Sequence, residues 1–154
     1  VNSLLIGHRK AGFSMESAAT AEAYRDGLSF MESAATAEAY RDGLSIFKNN
    51  IIAVYTKPYN VAAGAETVFT AAQVQAKAES EGNSTLAARE DVQLTDPFNI
   101  TAPNFLPSAG SPALSGASFT GLDPFFTATT YVGAFGTVNW AQGWASFNPK
   151  SNAY

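Results

Sequence analysis

Gly110-Ser-Pro-Ala-Leu-Ser-Gly116, Tyr131-Val-Gly-Ala-Phe-Gly136 and Trp140-Ala-Gln-Gly-Trp144 are the three phrases on which the fold reading turns. All three lie in residues 97–154, where the only charged side chains are Asp123 and Lys150. The same stretch holds 11 of the chain's 19 aromatics and six of its seven prolines. It has apolar surface to bury and turn residues to fold back on itself, so it reads as short strands between turns rather than as a disordered tail.

Working outward, the 154 residues fit one domain, residues 1–154. Hydrophobic residues make up 46%, enough for a core, and charged residues only 14%, against the usual quarter. Few charges and many small residues suit a secreted or surface protein. A net charge of -4 argues against a nucleic-acid partner, because the only basic cluster is His8-Arg9-Lys10. No cysteine is present, which removes disulfides and thiolate metal sites. No apolar run is long enough to span a membrane as a helix. The chain opens at Val1 in what reads as mid-strand, so the expectation is a mature or trimmed piece of a longer precursor.

Asn2 to Gly7 reads as a short buried strand. Met15 to Ser29 and Met31 to Ser45 are the same fifteen residues at a period of 16. Each copy reads as a short helix with Glu early, Arg late and a closing Gly27 or Gly43, giving a helical insertion over 13–46. The identity has three readings: a recent tandem duplication, one segment assigned twice, or a functional array. Two copies are too few for a solenoid of that unit. Leu44 to Tyr55 is the strongest strand signal. A helix is expected over 66–82, with Val68, Ala71, Ala72, Gln75 and Ala76 on one face.

The Gly110 and Tyr131 phrases resemble the closing rungs of right-handed parallel β-helix proteins of bacterial surfaces. Phe47-Lys-Asn-Asn-Ile-Ile52 looks like a further rung of that family, and Val138 to Pro149 is similar to the C-terminus of secreted proteins of the Bacteroidetes. The resemblance covers 44–55 and 94–154. It implies a mainly β fold: a right-handed parallel β-helix with helical insertions, C-terminal rungs over 97–154 and an aromatic cap. Stacked rungs would place Ile51, Ile52 and Val54 in apolar ladders and Asn49 or Asn50 in an amide ladder at a bend. Phe105, Leu106, Leu114, Phe119, Leu122 and Phe135 would be core, with corners at Gly110, Pro112, Gly116 and Gly133. Ser115 stands where the family often has Asp, and the long helical insertion departs from its pattern.

Candidate chemistry is sparse. His8, beside Arg9 and Lys10, reads as a solvated loop residue. One histidine and no cysteine make zinc improbable, no Ser-His-Asp set assembles, and no cofactor is expected. A glycan-active enzyme would need clustered carboxylates for Ca²⁺ or an acid/base pair, and the strands offer only Asp96 and Asp123. Trp140, Trp144 and Phe147 form a candidate glycan platform, but with Tyr154 they read first as the cap of an open core end. Asn83-Ser-Thr85 and Asn99-Ile-Thr101 match the glycosylation acceptor pattern. The expectation is a non-enzymatic extracellular structural protein, a subunit or fragment of a bacterial surface fibre, sheath or adhesin, self-associating through the strand edge at Asn2 to Gly7. The alternatives are a carbohydrate-binding module and, behind it, a glycan-active enzyme.

Overall fold

The computed structural model describes residues 1–6, 33–53, 58–143 and 145–151. Its centre is strand β2 (Ile51–Ala53), all three residues of which are buried. β1 (Leu4–Ile6) and β3 (Ser84–Leu86) flank β2 in a parallel sheet of order β1-β2-β3, with Leu4 beside Ile51 and Ile51 beside Ser84. A central parallel strand is covered on both faces, which is why an uninterrupted apolar run suits it.

Successive strand side chains point to opposite faces, and β2 therefore feeds two cores. Ile52 joins Ala37, Tyr40, Phe47, Tyr59, Phe69 and Val74. Ile51 and Ala53 join Val92, Ala113 and Val132. The first core is roofed by helices α1 (Ala34–Arg41), α2 (Ala63–Glu66) and α3 (Ala71–Ser80). The second is roofed by the turn-rich chain beyond residue 88. That part holds a two-stranded antiparallel sheet of β4 (Leu94–Asp96) and β5 (Asn104–Pro107), and single 3-10 turns at Arg89–Val92, Pro112–Leu114 and Pro149–Ser151.

One corner of the parallel sheet is ordered by left-handed backbone. Asn2, Asn49 and Gly82 have φ of 52°, 54° and 80° and stack level upon level. The Asn2 N–H donates to Lys48 O, and the Asn49 N–H to Glu81 O. Gly133, φ 98°, adds a level by donating to Asn2 O. Asn and Gly occupy these places because other side chains resist positive φ. The next residue at each level carries an amide ladder. Asn50 Nδ2 and its backbone N–H both donate to Asn83 Oδ1, at 2.7 and 3.0 Å. Asn83 Nδ2 donates to Phe47 O and Ala78 O, and Asn50 Oδ1 accepts from the Ser3 N–H. Both amides are buried, and an amide in that setting is tolerated only when its hydrogen bonds are made.

The expected right-handed parallel β-helix is not what forms. Parallel pairing stops at three strands of three residues each, joined by connections of unequal length, with no repeating rung and no solenoid. Residues 97–154 add one strand, β5, and it pairs antiparallel with β4. The physical reason lies in the same composition that suggested rungs. Six prolines lack N–H donors and the glycines break extended backbone, so the stretch closes into turns instead of ladders. The Gly110 phrase forms the short 3-10 turn of Pro112–Leu114, with the Ser111 Oγ accepting from the Ala113 N–H. Phe105, Leu106, Leu114, Phe119, Leu122 and Phe135, expected as core, are each only half-buried.

The helices also differ in detail from expectation. The first repeat copy lies outside the described residues. In the second, Ser33 caps α1, and the buried positions are Ala37 and Tyr40. The helix expected over 66–82 starts five residues late, at Ala71, because Glu66 ends α2 and the Thr70 hydroxyl accepts from the Gln73 N–H while the Gln73 side chain accepts from the Thr70 N–H. That capping box starts a new helix and turns Val74 and Ala78, rather than Ala72, Gln75 and Ala76, inward.

Candidate functional site

β5 sets Phe105 at the head of an aromatic chain. The Phe135 ring lies 5.7 Å from it at 30°, and Trp140 stacks on Phe135 at 5.0 Å and 9°. Phe147 meets Phe105 edge-on, at 5.9 Å and 67°. These offset and T-shaped arrangements are the ones aromatic quadrupoles favour. The Trp140 Nε1–H donates to Ala134 O at 2.7 Å, which fixes the ring's orientation. Trp140 remains 50% exposed and Phe147 44%.

Two hollows meet at Phe105. On one side is an apolar groove of about 680 Å³ walled by Leu4, Leu94, Phe105, Pro107, Val132 and Phe135. On the other is a hollow of about 480 Å³ whose aromatic wall is Phe105 and Phe147 and whose polar wall includes Thr101, Asn139, Gln142 and Asn148. Among the described residues, no charged side chain lines the second hollow. Of the expected platform, Phe147 lines it, Trp140 stands beside it without lining it, and Trp144 lies outside the described residues. The amides were missed from sequence. Asn139 and Gln142 flank Trp140, and no spacing rule marks an amide as facing a ring across a loop.

The other candidates are placed as follows. Asp96 accepts from Asn99 Nδ2 at 3.1 Å, and Asp123 accepts from the Phe125 N–H at 2.8 Å; each carboxylate organises its own turn. No group of three or more metal-ligating side chains gathers among the described residues. His8 lies outside them. Asn83 of the first acceptor pattern is buried in the amide ladder, and Asn99 of the second accepts from Thr101.

Ionisable groups are shifted mainly in the helical core. Burial, with the Glu81 carboxylate accepting from its hydroxyl at 2.9 Å, pushes the Tyr40 phenol well above its usual range. Burial pushes Tyr59 up to about 12, with the Glu79 charge adding to it. Lys77 bridges to Glu81 at 3.0 Å and lies 5.2 Å from the Tyr40 ring, closing a structural triad of α1 and α3. At the surface, the Arg89 guanidinium bonded to Glu90 holds that carboxyl below the usual carboxylate range.

Comparisons with protein-family models, with characterised proteins and with solved structures find no match to this chain. No helix among the described residues is long and apolar enough to cross a membrane.

Proposed function

We propose that the chain is a non-enzymatic extracellular structural protein, a subunit or fragment of a bacterial surface fibre, sheath or adhesin. The observation that carries this reading is the open parallel sheet. β1 and β3 each have one strand neighbour among the described residues; Gly133 covers the start of β1 at Asn2, and the strand edge left beyond it, like that of β3, templates pairing. The two edges differ, so β3 of one copy pairs with β1 of the next head to tail. Such a heterologous contact propagates instead of closing on itself. Exposed apolar side chains support the same reading: Ile100 and Phe125 are each 87% exposed, far more than burial inside one copy explains. The place outside the cell rests on the low charge content.

Thr85 gives the test. The Ser84 N–H donates inward to Asn50 O, so strand alternation turns the Thr85 N–H outward. Thr85→Pro removes that outward donor and spares the bonds to β2. Sedimentation over a wide concentration range should show the unsubstituted chain associating and the Thr85→Pro chain monomeric, with filaments of the former in electron micrographs. A strict monomer at high concentration overturns the reading.

A further inference from the structure

We propose that the hollow between Phe105 and Phe147 binds a neutral glycan, one pyranose ring lying on the exposed face of Phe147 and its hydroxyls bonded by Asn139 and Gln142. The inference goes beyond assembly and does not depend on it. Three observations converge on this ligand class. First, the lining contains no charged group among the described residues, so an ionic ligand would be desolvated there without a counter-charge from them. Second, the polar wall is rich in amides, and each amide offers a donor and an acceptor side by side, which suits vicinal hydroxyls. Asn139 Oδ1 already accepts from the Ala141 N–H at 3.2 Å, which leaves its Nδ2 group to a ligand. The Gln142 side chain is exposed and makes no hydrogen bond with the described residues. Third, Phe147 offers a flat apolar face that matches the C–H face of a sugar ring.

The wall is also pre-organised. Phe147 rests on Phe105, Phe105 on Phe135, and Phe135 on Trp140, whose indole N–H is tied to Ala134. A ligand therefore meets rings already in position, which lowers the ordering cost of binding. The volume of about 480 Å³ falls within the range of about 300–1,000 Å³ usual for small-ligand sites. The groove on the other side of Phe105 includes Asn2 in its lining, but that amide is bonded at both ends to Ser118, and the groove is not part of the site.

Affinity electrophoresis against a soluble β-glucan, a xylan, a galactomannan and the acidic polygalacturonate tests the proposal. At least one neutral polymer should retard the chain. Phe147→Ala and Gln142→Ala should each weaken that binding about tenfold or more with the thermal midpoint unmoved, and Phe125→Ala, remote from the hollow, should leave it unchanged. Gln142→Ala keeps the test sound if Phe147→Ala disturbs the fold. Failure of all three neutral polymers, preference for polygalacturonate, or retardation that survives Gln142→Ala overturns it. Assembly has its own readout in sedimentation, so failure of one proposal is distinguishable from failure of the other.

Discussion

At the scale of single residues, the corner of the parallel sheet is where sequence identity is least negotiable. Gly82 sits at φ +80°, and a Cβ there would run into the Asn49 side-chain amide on the level above. Two penalties add: the left-handed backbone that a Cβ resists, and displacement of Asn49 from the stack. Gly82→Ala should therefore cost roughly 1–3 kcal/mol. Gly43→Ala, at φ +79° with open space around it, should cost only the backbone part. Urea unfolding of the two variants side by side checks this, and equal losses would show that the Asn49 contact carries no energy. The amide ladder beside it was half legible. Asn49 and Asn50 announced a bend, because Asn tolerates left-handed backbone and bonds neighbouring main chain. Their partner Asn83 was read only as part of an acceptor motif, because its pairing with Asn50 crosses 33 residues of chain.

At the scale of elements, local chemistry decided boundaries that periodicity blurred. The Thr70–Gln73 capping box moves the start of the helix expected from Glu66 to Ala71, and the cap governs which face of α3 is buried. Thr70→Ala leaves the Gln73 N–H without its side-chain acceptor and should cost about 1 kcal/mol, read as a shift of the urea midpoint at unchanged slope. A loss below a few tenths would mean that packing of Val74 and Ala78, rather than the cap, sets the start of α3. Of the strand expected over Leu44 to Tyr55, only Ile51–Ala53 pairs among the described residues; its β-branched isoleucines marked that part, and the Asn49-Asn50 corner ends the pairing before it. The turn-rich segment after residue 97 misled for a stated reason. Gly and Pro mark corners well, but they say nothing about whether the residues between corners are long enough to pair. Within the candidate site, Phe147 was legible as an exposed aromatic in a charge-poor loop. The amides facing it were not, since their placement depends on how residues 139–148 fold over β5.

At the scale of the whole molecule, β2 is the strand that, among the described residues, feeds both layers. Ile52 belongs to the helical core, and Ile51 and Ala53 belong to the turn-rich one, so neither layer can lose its packing without exposing the other's strand. That coupling makes alkaline unfolding a test of the architecture. Tyr40 and Tyr59, both in the helical core, have phenol pKa values raised by burial. A raised folded-state value means that the native chain holds its proton more tightly than the unfolded one. Below the unfolded value, about 10, both states are protonated and stability is unaffected. Above it the unfolded chain releases protons that the native chain keeps, and stability falls by up to about 1.4 kcal/mol per pH unit for each tyrosine. Tyr59 ceases to contribute near pH 12, where its folded form also ionises. Tyr59→Phe should therefore reduce the slope above pH 10 by about half. Helical circular dichroism reports the layer with the tyrosines, and indole fluorescence reports the turn-rich layer through Trp140. Because β2 ties the layers together, the two signals should collapse at one pH, and Tyr59→Phe should move both by the same amount. Loss of the helical signal while the indole signal stays native would show two independently stable layers and refute the coupling through β2.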